Sequence, residues 1–313
     1  MFSAVNFVLI SSIFFTDVAL CSRNPRHIIM GKDDFPYICS VAYKEDFVFI
    51  CSIVRRDVVI VSVSNMNQPI KAGKEARYYN DIGSLTVIGG SPYMNPTQFE
   101  HLPHGAQEVN VTGFYTGTVA ITTDNDTDAD LTKYLKFGVF ESVPKINVGF
   151  LKTSFFDWKD NQIFPLPLGI KPRFLSFESE NFISNLEHPL FEVKACQIAG
   201  WHRRTARKIF HHVIYVPKHL CRVAYCDFNI NTCFNFLLED SPEVCFKSTH
   251  WGGPCAKDTG SVLFCKHFSG GNIFAVLTIA VNCEKENIPC VYTTIDQTIK
   301  DFQTSFGEYT PST

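Results

Sequence analysis

The sequence has little net charge and no long polar or repetitive tract. Its 28 Lys and Arg residues nearly balance its 31 Asp and Glu residues, which gives a net charge of -3. Proteins that bind nucleic acid or anionic membranes usually carry a basic excess or stripe, so the overall charge favours neither partner. Hydrophobic residues make up 45% of the chain and charged residues 19%. This balance is typical of a compact globular protein rather than a disordered one.

Beyond the N-terminus, no apolar run approaches the roughly 18 residues of a membrane helix. The N-terminus has an apolar run over residues 5–15, followed by the small residues Ala19 and Cys21. This arrangement is typical of a cleaved signal peptide. The sequence therefore predicts a signal peptide over residues 1–21 and a secreted, extracellular protein without a membrane partner. No Lys or Arg precedes the apolar run, which leaves an uncleaved anchor as the alternative.

The twelve cysteines include no Cys-x-x-Cys pair. Zinc sites usually have closely spaced ligand pairs, whereas these cysteines lie at long, irregular intervals. We therefore predict disulfides formed in an oxidising compartment, and expect neither a metal nor a cofactor. Two Asn-x-Thr sequons, at Asn110 and Asn125, are candidate N-glycosylation sites in an exported chain.

From Tyr37 onward, short β-branched and aromatic runs alternate with Gly, Pro, Asn and Asp. Runs such as DFVFICSIV, DVVIVSV and NIFAVLTIAV are typical of strands, so the sequence predicts an all-β protein. Helical spacing is clear only near the end, at Ile295, Ile299 and Phe302. The stretch over residues 151–191, rich in Phe and Pro, is predicted to be a long connection between two halves.

Residues 255–265 read CAKDTGSVLFC, which resembles the C-x-G-D-S-G-G-P-L-x-C segment of trypsin- and chymotrypsin-like serine proteases. The spacing between the two cysteines is the same as in that family. Other family landmarks occur in the expected order along the chain, at residues 35–37 (FPY), 52–65 (SIVRRDVVIVSVSN), 195–201 (ACQIAGW) and 282–293 (NCEKENIPCVYT). The resemblance covers roughly residues 28–303.

The resemblance implies two six-stranded antiparallel Greek-key β-barrels and a short C-terminal helix. It divides the chain into a short pro-like segment over residues 22–27, a protease-like domain over 28–305 and a tail over 306–313. His27 separates Arg26 from Ile28, so cleavage after Arg26 would not expose the Ile that begins an active enzyme of this family.

The resemblance also locates the catalytic positions. A serine protease needs a nucleophilic Ser, a His that accepts its proton and an Asp that orients the His. Ser64 stands at the His position, Asn65 replaces the Cys that follows this His in the family, and Thr259 stands at the Ser position. Lys136 is the best match to the Asp position, with Asp130 as the alternative. Without a base, the hydroxyl of Thr259 stays protonated and unreactive, so no intact catalytic residue is predicted.

Neighbouring family positions differ as well. Lys257 replaces a Gly whose N–H helps to bind the oxyanion. Asp258 retains the acid that pairs with the freed N-terminus in active enzymes, and we interpret it as a structural remnant. The predicted specificity pocket is degenerate, and we expect the Cys290 side chain to obstruct it. The altered pocket positions are Gly253, Pro254, Ala280 and Cys290.

The resemblance implies three disulfides, Cys196–Cys265, Cys221–Cys245 and Cys255–Cys283. Two further pairs are hypotheses from position, Cys39–Cys51 in adjacent strands and Cys226–Cys233 in an added loop. If Cys21 leaves with the signal peptide, Cys290 is the predicted odd thiol, either free or bridging a disulfide-linked dimer.

These replacements indicate a non-catalytic protease homologue that binds an extracellular protein, such as a protease or its substrate, as cofactor or competitor in a protease cascade. One alternative is a divergent endopeptidase in which another group activates Thr259. Another is a structural or storage secretion, because fold does not dictate function. The basic run over residues 202–208 is either a solvated loop or a site for an anionic partner. For the neighbouring pair His211 and His212, no metal role is predicted.

Overall fold

The computed structural model describes residues 28–29, 35–71, 76–94, 102–117, 120–123, 148–157, 196–202, 206–228, 241–249, 253–267, 270–281 and 288–307. The predicted signal peptide and pro-like segment lie outside these residues, as does most of the predicted tail. The predicted domain bounds therefore stay predictions. Among the described residues, no helix has both the length and the apolar character needed to cross a bilayer.

After a short first strand, β1 (Ile28–Ile29), six antiparallel strands close into a first barrel. They are β2 (Ile38–Tyr43), β3 (Asp46–Arg55), β4 (Val58–Ser62), β5 (Leu85–Gly89), β6 (Gln107–Tyr115) and β8 (Val148–Thr153). The spatial order is β5-β2-β3-β4-β8-β6, and β6 pairs back with β5 to close the ring. The short strand β7 (Ala120–Thr122) pairs with the end of β6.

Six more antiparallel strands form a second closed barrel. They are β9 (Cys196–Trp201), β10 (Lys208–Val216), β11 (Glu243–Ser248), β12 (Val262–His267), β13 (Gly270–Ile279) and β14 (Cys290–Thr294). Within each barrel the fourth strand lies beside the first, in the 4-1-2-3 order of a Greek key. The predicted fold class is therefore confirmed.

Strands β3 and β4 are buried on both faces, which explains their nearly continuous apolar sequence. Because side chains alternate along a strand, Ile53 and Val59 point into the first barrel. Val54 and Ile60, their neighbours in sequence, join a separate core that contains residues of both barrels. The central core of the molecule thus lies between the barrels.

The C-terminal helix, α3 (Ile295–Phe306), packs against this shared core. Ile295, Ile299 and Phe302 are buried, and the predicted terminal helix is confirmed. The ring of Phe302 meets that of Phe150 edge-on at 5.5 Å. The guanidinium of Arg55 lies 5.4 Å from the ring centroid of Phe306, which adds a cation–π contact from the first barrel.

Helix α2 (Lys218–Phe228) was not predicted from the sequence, and the four-residue helix α1 (Val63–Met66) follows β4 directly. In α2, Cys221 and Tyr225 are four residues apart and buried, the spacing of one helical face. Leu220 and Val223 on another face are more than half exposed. The apolar residues therefore do not form one stripe, and this weakens the periodic signal.

The disulfides connect neighbouring elements. Three of the predicted pairs are present: Cys39–Cys51 joins β2 to β3, Cys196–Cys265 joins β9 to β12, and Cys221–Cys245 joins α2 to β11. Cys226 and Cys255 are also disulfide-bonded. Their predicted partners, Cys233 and Cys283, lie outside the described residues.

The connection predicted over residues 151–191 begins too early. Residues 151–153 belong to β8, and Leu151 is buried in the first barrel. The Phe- and Pro-rich composition of the stretch did not distinguish the end of β8 from the connection that follows it. The rest of the stretch lies largely outside the described residues.

A row of hydrogen bonds, which we call the interbarrel seam, joins the two barrels directly. Each bond runs from a side chain of the first barrel to a backbone carbonyl of the second. The Oγ of Ser52 donates to Gly260 O at 2.8 Å, and the Oγ of Ser62 donates to Thr278 O at 2.9 Å. The Nδ2 of Asn65 donates to Thr259 O at 3.1 Å. All three donors belong to buried residues, so losing one would leave a buried carbonyl without that bond.

Gly260 allows the backbones of the two barrels to approach at this seam. Its φ is +99°, and a Cβ there would lie 2.5 Å from Ile50 O. The residue therefore needs glycine for both its backbone conformation and its contact with β3.

We predict that Gly260→Ala destabilises the protein by about 3 kcal/mol, from left-handed strain together with overpacking. Gly307→Ala is the matched control, because Gly307 has φ +80° and nothing within 4 Å of its Cβ position. Its ψ is -164°, so the control should lose about 1 to 3 kcal/mol from backbone strain alone and less than Gly260→Ala, which adds the clash with Ile50 O. Equilibrium urea unfolding with disulfides intact measures both, and equal losses would show that the seam contact contributes nothing.

Candidate functional site

The residue at the base position, Ser64, lies in α1 at the end of the seam. Its Oγ is 2.6 Å from the Oγ of Ser62 and 3.1 Å from Thr278 O. Both serine hydroxyls therefore reach the same carbonyl on β13. A serine hydroxyl does not accept a proton near neutral pH, so this position supplies no general base.

Thr259, at the nucleophile position, is only 2% exposed. Its Oγ1 donates to Ala256 O at 2.6 Å, and its backbone N–H donates to the same carbonyl at 3.4 Å. Neither group is directed to a histidine or a carboxylate. The hydroxyl is held as a structural donor.

The Ala256 carbonyl takes this position because residues Ala256–Asp258 form a tight 3-10 turn. In a serine protease, the N–H of the nucleophile residue helps to bind the developing oxyanion. Here that N–H already has a carbonyl acceptor, and the carbonyl would repel an anion. The Lys257 side chain is exposed and lies over the Phe47 ring at 5.6 Å from its centroid. The turn, which was not predicted from the sequence, thus places a carbonyl oxygen at the N–H that an oxyanion would need.

The structure brings the two described catalytic positions to one seam but gives them different partners. Asn65, which stands where the family has a cysteine, binds Thr259 O, and the Nε2 of Gln68 donates to Asn65 Oδ1 at 3.1 Å. Sequence reasoning noted Asn65 only as a lost cysteine, although a buried amide beside the base position is a polar group that needs a partner. Lys136 and its alternative Asp130 lie outside the described residues.

Asp258 anchors the turn to the second barrel. It is 3% exposed, and its carboxylate accepts hydrogen bonds from Cys255 N at 2.8 Å and Trp201 N at 3.3 Å. Backbone N–H donors stabilise a buried carboxylate. They also fix residues 255–258 against β9. Asp258 therefore has a structural role in the described part of the chain.

Two of the degenerate pocket positions, Pro254 and Cys290, lie in contact with each other. Cys290 is a buried free thiol whose Sγ donates to Pro254 O at 3.8 Å. Ala280 is also buried. A Cβ on Gly253 would lie 2.6 Å from the Cβ of Ser248, so there is little free space between these two residues. The Cys290 side chain is therefore buried against the Pro254 backbone.

The Cys290 thiol is held in its neutral form. Burial, and secondarily the charge of Asp258, raises the pKa of Cys290 to about 12. A thiolate is required for disulfide exchange. The burial and the raised pKa of Cys290 therefore both oppose a disulfide-linked dimer through this residue. Such a dimer stays an untested prediction.

The basic run is smaller at the surface than the sequence indicates. Lys208 is only 1% exposed, so its assignment to a surface patch was wrong. Arg207 is exposed and lies over the Tyr93 ring at 5.9 Å from its centroid, while residues 203–205 lie outside the described residues. In β10, His211 is buried and His212 half-buried. Across the described residues, no group of three His, Cys, Asp or Glu side chains could hold a metal.

No protein-family model matches the chain, and no curated protein matches it significantly. The likeness to serine proteases therefore rests on the ordered motifs, the two Greek-key barrels and the disulfides.

We predict that Cys290 in the native protein resists alkylation by iodoacetamide from about pH 7 to pH 10, because its thiol stays protonated and buried. Ordinary thiols react increasingly as pH rises through about 8.5. Peptide mapping after a timed pulse measures the modified fraction. The same residue in denaturant is the control and should react fully, whereas native reactivity that rises near pH 8.5 would contradict the burial of the thiol.

Proposed function

We propose that the chain is an exported, non-catalytic homologue of trypsin-like serine proteases that acts by binding another protein. One observation carries this proposal: the hydroxyl and the backbone N–H of Thr259 both donate to Ala256 O. A nucleophile and an oxyanion donor are the two groups that an acyl-transfer site must keep available.

Homology to serine proteases is supported by agreement between sequence and topology. The motifs occur in the family's order, and the strands close into two barrels with the same Greek-key order. The segment from Cys255 to Cys265 carries the family's cysteine spacing, and Cys265 forms its expected disulfide with Cys196.

Loss of catalysis is supported by three independent features. Ser64 replaces a base, and its hydroxyl is directed to Thr278 O. Thr259 is buried with its donors bound to Ala256 O. Between the pocket walls, Cys290 contacts Pro254 O. Each feature affects a different requirement, namely proton transfer, attack on the substrate and substrate binding.

Export is supported by the N-terminal apolar segment and by the disulfides. Disulfides persist in oxidising compartments and are rare in the cytosol. The proposed partner is an extracellular protein, either a protease or the substrate of one. A homologue that keeps the fold but not the reaction is suited to act as a cofactor or a competitor of an active protease.

We predict that a fluorophosphonate probe, which labels activated serine and threonine hydroxyls, does not label the folded protein. The variant Ser64→His/Thr259→Ser should also stay unlabelled, because Ala256 O and Cys290 still close the oxyanion and pocket positions. In-gel fluorescence measures labelling, with trypsin as the positive control.

Two results would contradict this proposal. Labelling of the wild type that Thr259→Ala abolishes would show an active hydroxyl and restore the endopeptidase alternative. Labelling of the double variant at a rate near that of trypsin would show that the turn at residues 256–258 opens readily.

A further inference from the structure

Phe155 is the most exposed large hydrophobic side chain among the described residues, with 75% of its surface accessible. It lies two residues after the end of β8, where the inward–outward alternation of the strand breaks. Ser154 and Phe155 are both exposed, and Phe156 turns into the first barrel at 1% exposure. One exposed apolar residue needs no explanation by itself, so the surroundings of Phe155 decide its meaning.

The backbone on both sides of Phe155 is fixed to β6. Ser154 N donates to Asn110 O at 2.9 Å. Three residues later, Asp157 N donates to the Oε1 of Gln107 at 2.7 Å, and the Nε2 of Gln107 donates to Asp157 O at 2.6 Å. Phe155 is therefore presented outward by a segment held at both ends.

The same stretch of β6 carries one of the two sequons. Along this strand Asn110 and Thr112 are exposed, whereas Val109 and Val111 are buried. The acceptor amide and the sequon hydroxyl thus share the outward face. An exposed Asn110 side chain leaves room for a sugar on the folded protein.

Asn110 and Phe155 are close across the strand pair. Val111 pairs with Thr153, which puts Ser154 opposite Asn110 and Phe155 one residue further on. Continuing this register puts Phe155 opposite Val109. With about 5.5 Å between paired Cα atoms and a rise of about 3.4 Å per residue, the Cα atoms of Asn110 and Phe155 lie about 6 to 7 Å apart. Both side chains are exposed. A sugar on Asn110 extends that side chain by one ring, into the space beside Phe155.

We propose that Asn110 carries an N-linked glycan whose first N-acetylglucosamine packs on the ring of Phe155. One face of this sugar ring presents C–H groups, and covering Phe155 with it removes apolar surface from water. The aromatic face, which is electron-rich, also attracts the C–H edge. This inference rests on the export step of the proposed function and on no other part of it.

The modification is a group transfer from a lipid-linked diphosphate oligosaccharide in the secretory pathway. The Nδ2 of Asn110 forms a bond to C1 of the first N-acetylglucosamine, and the bond between C1 and the diphosphate oxygen breaks. The lipid diphosphate leaves with its electron pair, and Nδ2 gives up one proton to the transferase. No oxidant or reductant is needed.

The test uses the full chain in an Asn125→Gln background, which leaves Asn110 as its only Asn-x-Ser/Thr sequon. The protein is secreted from a eukaryotic host behind a heterologous leader, so occupancy does not depend on residues 1–21. Mass spectrometry of the secreted protein should find Asn110 glycosylated. Trimming to a single sugar with an endoglycosidase should leave the melting temperature unchanged. Removing the whole glycan with an amidase should lower the melting temperature by about 2 to 4 °C.

Two variants separate packing on Phe155 from a general effect of the glycan. The amidase leaves Asp at position 110, so an unglycosylated Asn110→Asp protein gives the shift that this change alone causes. In Phe155→Ser, the amidase should lower the melting temperature by no more than that small shift. In Leu220→Ser, which removes a different exposed apolar side chain on α2, the full decrease should persist.

An unmodified Asn110 on the secreted protein would overturn the inference and leave the proposed function intact. Equal decreases in wild type and Phe155→Ser would overturn the packing. Failure of the natural leader to export the chain would instead overturn the export step. Glycosylation of Asn110 is still measured on the protein that the heterologous leader exports.

Discussion

The interbarrel seam is the constraint on which the rest of the structure depends. Two barrels of the same topology could pack together through apolar surface alone, but apolar packing does not fix register. The seam fixes it, because buried donors of the first barrel bind specific backbone carbonyls of the second. Gly260 lets the chains approach closely enough for Ser52 to reach its carbonyl. A fixed relation between the barrels follows from these contacts.

The seam also engages polar side chains of the candidate site. In an active acyl-transfer enzyme, the catalytic polar groups are oriented toward the position of the substrate. Here Asn65 and Ser64 bind carbonyls of the protein itself, and Thr259 binds Ala256 O. Asp258 secures the turn that presents this carbonyl. Groups that stand at the family's catalytic positions are thus engaged in internal hydrogen bonds, which is the basis of the proposed loss of catalysis.

How far the sequence predicts this structure depends on the kind of signal. The doubly buried strands and α3 follow from local apolar patterns. The resemblance implies two of the observed disulfides, and the predicted adjacent strands indicate the third, Cys39–Cys51. Helix α2 was missed because its apolar residues are divided between a buried and an exposed face. The burial of Lys208 and the direction of the Ala256 carbonyl depend on contacts between distant segments. Composition and spacing carry no information about such contacts.

The functional conclusion depends on an inert Thr259 with a closed oxyanion position. Boron-11 NMR with a panel of peptide boronic acids tests this directly, because the boron becomes tetrahedral when a hydroxyl oxygen binds it and donors hold the resulting anion. We expect only the trigonal signal in the presence of the protein. A tetrahedral signal that disappears in Thr259→Val would show that the hydroxyl and its neighbouring donors are available, and would contradict a non-catalytic role.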